Sequence, residues 1–321
     1  MQTYCIEQKE NRIYSYLLEE HGRAVEIHCD PDDAKVRLGD IYIGRVQNVV
    51  RNLNAAFVEI LPGVMAYLSL EDLRDPVYTK KGRSAHLQQG DELVVQIVRE
   101  AIKTKAPSVT SNLSLQGNYA AIEMNRKEIG ISRKLPEVQR EQLKAAVREL
   151  LGDLSMGVII RTNAGTVPAG VVAEEVEFLR KQLLDLLSIA PYRPCRTRLY
   201  ATPPLWLKRL SSLHLEEVER ITAESPCYDT VSKYLETLTY GKQIREKLKK
   251  YESSLLPMRA CYSLEQKLKE ALSERVWMNS GAYLVIQPTE ALTVIDVNSG
   301  KCETGKEKEK AFLKINLEAA A

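Results

Sequence analysis

Hydrophobic and polar residues alternate in short runs along the first third of the chain. Two runs within residues 1–37, RIYSYLLEE and AVEIHCD, predict a small β-meander. Four more lie between residues 38 and 105, separated by turn sequences such as LPG and QQGD: DIYIGRVQNVV, AAFVEIL, VMAYLSL and ELVVQIVRE. Short strands at this spacing predict a closed or nearly closed barrel.

Helical spacing appears after the barrel. PEVQREQLKAAVRELL (136–151) and VAEEVEFLRKQLLDLL (172–187) predict helices, and MGVIIRTNAG (156–165) predicts a strand that ends in a turn. Residues from about 113 to 211 are therefore predicted to form a compact α+β unit. Residues 213–270, which include LEEVERITAES and YGKQIREKLKKYESSLL, are predicted to be mostly helical, with Ser263 and Gln266 in a capping box.

The last fifty residues predict an antiparallel hairpin in GAYLVIQPTEALTVIDVN, followed by a helix in EKEKAFLKINLEAAA. Within the hairpin, LTVIDVNSGK (292–301) has the pattern of an interior strand, with Leu292, Val294, Asp296 and Asn298 on one face. A carboxylate among apolar neighbours is costly unless it is paired. The pattern therefore predicts a partner for Asp296.

Composition places the chain among soluble globular proteins. Its 321 residues are enough for two or three domains, and 44% are hydrophobic and 27% charged. The net charge of +2 argues neither for nor against a polyanionic partner. The six cysteines and four histidines are scattered, so neither a zinc-ligand spacing nor a histidine triad is indicated. Without a signal pattern or an apolar run of about 20 residues, the prediction is a cytoplasmic protein.

Two aromatic residues stand out in the predicted barrel. Alternation places Phe57 and Tyr67 on the less apolar face of neighbouring strands, where exposed rings can stack on nucleic-acid bases at about 1–3 kcal/mol each. The alternative, ordinary packing at an interdomain seam, is equally compatible with the pattern. Basic residues in or beside these strands favour the nucleic-acid reading: Arg45, Arg51, Arg99, Lys103 and Lys105.

A second candidate is an anion site where the strand GVIIRT ends. Arg161 and Thr162 precede the turn NAGTVPAG, and a guanidinium can bind two phosphate oxygens at once. Arg133 and Lys134 in GISRKL could add charge. The alternative, a solvated arginine in a loop, is the more common occurrence of such a residue.

The third candidate is Asp296 with Asn298 two residues later on the same face. A carboxylate oriented by an amide suits Mg²⁺, which takes few protein ligands and keeps several waters, and Gly300 would permit a sharp turn or a close approach. Such an ion promotes phosphodiester cleavage. The alternative is a structural aspartate satisfied by backbone amides. One carboxylate makes a poor Mg²⁺ site, and the later Glu303, Glu307 and Glu309 lie in a lysine-rich, solvated run.

These stretches together resemble the N-terminal catalytic half of the ribonuclease E/G family of bacterial endoribonucleases. The resemblance covers essentially the whole chain. It is carried by IYIGRVQNVVRNLNAAFVEI, YLSLEDL, GISRKL, GVIIRTNAG and, above all, LTVIDVNSGK followed by INLEAA.

The resemblance implies an α+β multidomain fold in which an OB-fold, S-one-like barrel at about 38–112 binds single-stranded RNA. Phe57 and Tyr67 match its base-stacking aromatics. Lys105 and Arg99 match basic residues that contact the RNA backbone. A sensor of a 5′-monophosphate at about 113–212 follows, on whose phosphate-binding pair Arg161 and Thr162 fall. Arg133 is a weaker match to this sensor.

The remaining segments match parts of two further subdomains. Residues 1–37 and 213–270 resemble two halves of an RNase-H-like subdomain with a structural role. Residues 271–321 resemble the start of a DNase-I-like catalytic subdomain, in which Asp296 matches a Mg²⁺-binding aspartate and Asn298 the amide that orients it. The implied substrate is single-stranded, A/U-rich RNA, and the implied context is RNA processing and decay.

The sequence departs from the family by ending early. The family's second metal-binding aspartate and the cysteines that share a Zn²⁺ between subunits come later than residue 321, so the chain is interpreted as truncated within the catalytic subdomain. Two hypotheses follow, a Mg²⁺-dependent endoribonuclease and a catalytically incomplete RNA-binding fragment of one. A barrel that prefers single-stranded DNA is a third, and a homo-oligomer stays open for the complete protein.

Overall fold

The computed structural model describes residues 1–31, 35–102, 105–126, 128–151, 156–238, 241–253, 255–300 and 308–320. Lys103, Glu303 and Glu307, which the sequence analysis considered, lie outside the described residues. The chain divides into two compact units. The first comprises Met1–Asp30, His214–Lys233 and Gln243–Ala321, and the second comprises Pro31–Leu213 and Tyr234–Lys242.

The secondary structure is mixed. The strands are β1 (Gln2–Lys9), β2 (Arg12–Leu18), β3 (Ala24–Pro31), β4 (Ile41–Val50), β5 (Ala55–Leu61), β6 (Val64–Ser69), β7 (Tyr78–Lys80), β8 (Glu92–Arg99), β9 (Ser108–Thr110), β10 (Ser114–Gln116), β11 (Ala120–Met124), β12 (Ile129–Ile131), β13 (Met156–Ile160), β14 (Thr197–Tyr200), β15 (Val218–Ala223), β16 (Leu248–Lys250), β17 (Arg275–Trp277), β18 (Tyr283–Pro288) and β19 (Thr293–Asn298). The helices are α1 (Glu137–Leu151), α2 (Ala169–Ile189), α3 (Leu205–Leu210), α4 (Cys227–Glu236), α5 (Gly241–Lys247), α6 (Met258–Cys261), α7 (Leu264–Ala271) and α8 (Lys308–Ala320).

The second unit begins with a closed β-barrel. Strands β4, β5, β6, β9 and β8 pair in that order, and β8 pairs again with β4 to close the ring. Alternate residues such as Val58, Ile60 and Leu68 fill its interior and are fully buried. The predicted barrel, including its four long strands, is confirmed.

The same unit contains the predicted α+β segment. Strands β10, β11, β13 and β12 form a sheet in that order, and α1 and α2 pack against it. Apolar residues at helical spacing, Leu143 and Val147 on α1 and Val176 and Leu183 on α2, are buried in the shared core. The predicted α+β unit is therefore confirmed, and with the barrel it gives the α+β class and OB-like architecture expected from the sequence.

The first unit contains a sheet in the order β16-β15-β1-β2-β3, which includes the predicted N-terminal meander. The prediction that LEEVERITAES is helical is wrong, because Val218–Ala223 forms β15 between β1 and β16. Both neighbours are parallel to β15. The spacing of Val218, Ile221 and Ala223 suits a helix as well as a strand, and pairing with a segment over two hundred residues away decides between them.

The predicted capping box at Ser263 is also wrong. Ser263 precedes α7 but has a left-handed backbone, with φ of 50°, and its hydroxyl makes no capping hydrogen bond. Gln266 instead donates to Glu270 Oε1 at 2.9 Å. A capping serine needs extended backbone geometry, and the turn after α6, which ends at Cys261, does not provide it.

The C-terminal part of the first unit confirms the predicted hairpin but not its burial. Strands β17, β18 and β19 are antiparallel neighbours, and α8 follows. Residues 293–297 are all exposed, Ile295 to 59% and Val294 to 44%, so the prediction of an interior strand is wrong. Burial of a sheet face requires a second layer packed on it, and the described residues do not cover β19.

No described helix has the length and apolar character that crossing a membrane requires.

Asp91, the residue before the barrel strand β8, is buried and accepts several hydrogen bonds. Its side chain is 1% exposed and accepts from Lys81 Nζ at 2.6 Å and from the backbone N–H groups of Gly82 and Gln88 at 2.7 and 2.9 Å. Burial by itself raises the pKa of Asp91, but these hydrogen bonds outweigh it and hold the pKa below its ordinary value.

This depressed pKa predicts a loss of stability in acid. In the unfolded chain the carboxyl titrates at about pH 3.9, so its stabilisation is present above that pH and is lost as the pH falls towards the lower folded pKa. Asp91→Asn cannot titrate, and we expect its free energy of unfolding to fall less than the wild type's between pH 5 and pH 3. Urea titrations at both pH values measure this, with the exposed Asp72→Asn as control. Equal acid sensitivity in Asp91→Asn and the wild type would contradict the assignment.

Candidate functional site

The two predicted aromatic residues face each other across neighbouring strands of the barrel. Phe57 on β5 pairs with Tyr67 on β6, and their ring centroids are 6.2 Å apart with an interplanar angle of 76°. Ala56 and Val58, which flank Phe57, are fully buried in the barrel, so both rings lie on its outer face. Each ring is partly exposed and therefore accessible.

The strand register extends this pair into a row. Tyr67 pairs with Ser108 on β9, and Ser108 pairs with Arg99 at the end of β8. Side chains at paired positions share a sheet face, so an exposed guanidinium stands on the same face as the two rings. We call Phe57, Tyr67, Ser108 and Arg99 the aromatic row.

Lys105 lies close to the aromatic row along the chain. Its backbone N–H donates to Ile102 O at 2.9 Å, and the N–H of Tyr67 donates to Pro107 O at 2.8 Å. Lys105 is exposed and lies two residues before Pro107, whose carbonyl accepts the hydrogen bond from Tyr67 of the aromatic row. Rings with adjacent cations on an open barrel face have the composition of a single-strand binding surface.

The predicted phosphate residues occupy the edge of the α+β sheet. Arg161 follows β13, and its guanidinium donates to Gln116 Oε1 at the end of β10. The hydroxyl of Thr162 is 2.7 Å from the hydroxyl of Ser132. Arg161 and Thr162 therefore contact different neighbours, while Arg133 beside Ser132 is exposed. The structure thus brings Arg133 and Thr162 to one loop cluster and directs Arg161 towards Gln116.

Sequence reasoning missed Glu175, the residue that shapes this edge. Glu175 on α2 is 4% exposed and accepts from the backbone N–H groups of Asn118, Tyr119 and Ala120 at 2.8, 2.7 and 2.9 Å. At Gly117, a Cβ would lie 2.5 Å from the carboxyl carbon of Glu175, so this approach requires glycine. Glu175 is one of several acidic residues on its helix, and no local signal distinguishes it.

Removal of this carboxylate should destabilise the turn that follows Gln116 and connects β10 to β11. Glu175→Ala leaves three backbone N–H groups without their acceptor, and each unsatisfied buried donor costs about 1–3 kcal/mol. We expect the free energy of unfolding to fall by about 3–5 kcal/mol. Urea denaturation measures it, with the exposed Glu174→Ala on the same helix as the matched control. Coinciding midpoints for the two variants would show that the carboxylate does not hold the turn.

Asp296 and Asn298 lie on β19 as the sequence predicted, and they contact each other. Asn298 Nδ2 donates to Asp296 Oδ2 at 2.8 Å. Among the described residues this is the hydrogen bond that Asp296 receives, so the partner of the carboxylate is the neighbouring amide and not the backbone. Gly300 has φ of 56°, and a Cβ there would lie 2.5 Å from Gly281 O, so both predicted uses of this glycine are confirmed.

The donor set at Asp296 suits one face of a hard divalent cation. Asn298 donates to one carboxylate oxygen, Oδ2, and the Asp296 side chain is exposed. A group of three or more His, Cys, Asp or Glu side chains able to hold a metal is absent from the described residues. One exposed carboxylate would offer a divalent cation a single protein ligand from this segment, so an ion held there would have to keep most of its waters.

Comparison with known proteins places the chain in a family. The model of the Ribonuclease E/G family matches residues 114–321. Ribonuclease G of Haemophilus influenzae is 28% identical over 314 residues, which is 94% of this chain and 63% of the relative. Ribonuclease E of a Nostoc species is 31% identical over 290 residues, 88% of this chain and 42% of the relative.

Ribonuclease G of Escherichia coli is 28% identical over 310 residues, which is 93% of this chain and 63% of the relative. The chain thus spans less than two thirds of the length of these relatives. The matched range contains Arg133, Arg161, Thr162, Asp296 and Asn298. Since that match covers more than half of the sequence, the chain belongs to the ribonuclease E/G family.

Proposed function

We propose that this chain carries the RNA-binding surface and one metal-binding carboxylate of a Mg²⁺-dependent endoribonuclease. The observation that carries the proposal is the match to the ribonuclease E/G family across the segment that contains Arg161 and Asp296. The substrate is single-stranded RNA, preferably A/U-rich, and the context is RNA processing and decay in the cytoplasm.

The aromatic row would bind the RNA strand. Phe57 and Tyr67 present partly exposed rings to bases, and the charges of Arg99 and Lys105 stand beside them for the phosphates. Stacking is tolerant of base identity because every base has a π-face. Sequence preference must therefore come from elsewhere in the contact with RNA.

Asp296 would hold the Mg²⁺ ion, with Asn298 fixing the carboxylate through its 2.8 Å hydrogen bond. Bound Mg²⁺ supplies an activated water and stabilises the charge that develops when a phosphodiester is cleaved. Asp296 contributes the negative charge that attracts the ion, and Asn298 restricts the rotation of the carboxylate. A second anionic ligand would complete the site.

Arg161 and Thr162, with Arg133, would recognise a 5′-monophosphate. A guanidinium pairs two oxygens of a terminal phosphate, and a hydroxyl and a further guanidinium can add hydrogen bonds. A 5′-triphosphate is bulkier and would fit such a set less well. RNAs with a 5′-monophosphate would therefore be preferred.

The domain organisation belongs to the same proposal. The barrel extends over about 38–112 and the 5′-sensor over about 113–212. Residues 1–37 and 213–270 form an RNase-H-like subdomain, and residues 271–321 belong to a DNase-I-like subdomain. A Zn²⁺ shared between subunits and a homo-oligomer are proposed for the longer protein alone.

A second candidate function is RNA binding without cleavage. It is favoured by the donor set, because the described residues contain no group of three or more His, Cys, Asp or Glu side chains that could hold a metal ion around Asp296. Binding of single-stranded DNA is a related alternative, since stacking does not distinguish the two nucleic acids.

One assay separates these functions. The purified chain is incubated with 5′-monophosphorylated single-stranded RNA, with Mg²⁺ or with a chelator, and binding and cleavage are scored together. Cleavage that the chelator abolishes supports the endoribonuclease, and binding without cleavage supports the second candidate. Absence of RNA binding, or stronger competition by a matched DNA, would contradict both.

A further inference from the structure

The sheet formed by β17, β18 and β19 has two unlike faces. Side chains at paired positions share a face, as do residues two apart along a strand. The strand register thus aligns six side chains on one face, in two adjacent rows: Arg275, Val285 and Asp296, then Trp277, Tyr283 and Asn298. We call these six residues the hairpin face. The opposite face is mainly apolar and carries Val276, Leu284, Ile286, Ile295 and Val297. The two aromatic rings therefore lie on the polar face, with the proposed metal-binding carboxylate.

Trp277 presents the most open ring of the hairpin face. Its side chain is 62% exposed, although tryptophan is highly buried on average in globular proteins. Its ring centroid lies 4.9 Å from that of Tyr283, with an interplanar angle of 51°. Tyr283 is partly buried, and a Cβ at Gly300 would lie 3.4 Å from its ring. Tyr283 thus supports Trp277, while most of the indole surface stays open to solvent.

Arg275 adds positive charge beside these rings. Its guanidinium carbon lies 4.6 Å from the centroid of the Tyr283 ring and 5.9 Å from that of Trp277, which is the range of a cation–π contact. A guanidinium that lies over a ring still directs its N–H donors outwards in its own plane, where they can bind phosphate oxygens. Since Arg275 is exposed, these donors are accessible to an anion.

The rings lie close to Asp296. Adjacent strands of a sheet are about 4.8 Å apart, so the backbone of Trp277, two strands from Asn298, is about 10 Å from it along the row. Asp296 stands in the adjacent row, two residues before Asn298 on β19. A nucleotide whose base lies on Trp277 can therefore extend its phosphate towards Asp296.

The chemistry of the hairpin face favours single-stranded RNA as its occupant. An open ring can stack on any base, and the neighbouring guanidinium can pair with a phosphate. Asp296 on the same face is the residue at which the proposed function places the reacting phosphodiester. A protein partner held by apolar contact would instead bury more apolar surface on the opposite face of the sheet.

We propose that Trp277, supported by Tyr283 and Arg275, binds an RNA base next to the phosphodiester at Asp296. The inference rests on the proposed function, because Asp296 marks that phosphodiester only if the proposed function holds. The resemblance gives Trp277, Tyr283 and Arg275 no role. The inference adds a second base-stacking site to the aromatic row and places it in the unit that carries Asp296.

Photo-cross-linking tests this contact on the unaltered chain. A single-stranded oligouridine made with 5-iodouridine is bound in the presence of a chelator, so that it stays intact, and is then irradiated. We expect mass spectrometry to find cross-links at Trp277 or Tyr283 besides those at the aromatic row. Cross-links confined to the aromatic row would overturn the inference and leave the proposed function standing.

Substitutions measure the contribution of the ring and of the charge. We expect Trp277→Ala to weaken binding of single-stranded RNA about tenfold, as the loss of one stacked base does, and Trp277→Phe to retain most of the affinity. Val276→Ala, on the opposite face of the same strand, is the matched control. The loss in Trp277→Ala should persist at higher salt, whereas that in Arg275→Gln should diminish, because salt weakens phosphate contacts. The exposed Arg23→Gln in the same unit controls for the change of charge.

The remaining outcomes separate this inference from the proposed function. Equal RNA affinity in Trp277→Ala and Val276→Ala overturns the inference alone, and a chain that binds no RNA overturns both. Self-association that Trp277→Ala abolishes, with RNA affinity unchanged, would assign the hairpin face to a second copy of the chain and overturn the inference. If Trp277→Ala fails to fold, the cross-links and Trp277→Phe decide.

Discussion

Asp296→Asn is expected to reduce Mg²⁺-dependent cleavage of single-stranded RNA by about 100-fold or more, with little change in RNA affinity. Loss of the carboxylate would remove the proposed anionic ligand of Mg²⁺. Metal stabilisation of a developing charge is worth several kcal/mol, and every 1.4 kcal/mol corresponds to about tenfold in rate. Because Asp296 is exposed on β19 and accepts from Asn298, the amide substitution is expected to preserve the fold.

The measurement is the cleavage rate at saturating RNA over a range of Mg²⁺ concentrations. The variants are made in a polypeptide that cleaves RNA, which is either this chain or one extended to the length of the ribonuclease G relatives. Glu290→Gln makes the same change of charge at an exposed position between β18 and β19 and should retain full activity. If Asp296→Asn and Glu290→Gln cleave equally fast, Asp296 is not a metal ligand.

The double variant Phe57→Ala/Tyr67→Ala is expected to weaken RNA binding by about 2–6 kcal/mol, if the single-base stacking energies add. This corresponds to about 30-fold to about 10⁴-fold in the dissociation constant. The expectation follows from the positions of both rings on the outer face of the barrel, partly exposed and 6.2 Å apart. Fluorescence anisotropy with a labelled single-stranded RNA measures the change.

Two controls separate stacking from other causes. Tyr67→Phe keeps the ring and should bind RNA as the wild type does, and Tyr192→Ala removes an aromatic ring that is 87% exposed elsewhere in the same unit. The loss should also persist at higher salt, because salt weakens phosphate contacts and not stacking. Unchanged RNA affinity in the double variant would show that both rings have an ordinary packing role and do not bind bases.

The sequence predicted the parts of the fold that depend on local periodicity. Alternation identified the four long barrel strands, and helical spacing identified α1 and α2, because each pattern reflects burial against the nearest layer. Periodicity failed for β15, because its apolar spacing is compatible with a helix as well as with a strand. Pairing with β1 and β16 makes this segment a strand. Periodicity also failed for the burial of β19 because alternation does not say whether another layer covers the sheet.

The candidate site was predictable to the same extent. Residue type and strand ends indicated Arg161 and Asp296, and side-chain alternation placed Phe57 and Tyr67 on one face. Glu175 was not predictable, since its three backbone partners lie 55 to 57 residues away.

The angle between the two rings of the aromatic row restricts the shape of the nucleic acid that it can hold. Bases stacked on Phe57 and on Tyr67 would lie in planes about 76° apart, as the rings themselves do. Neighbouring bases in a double helix are nearly parallel, so a duplex could contact one ring but not both. A strand that engages both rings must be unstacked and sharply bent at that step, and the barrel would thereby reject paired RNA by orientation alone.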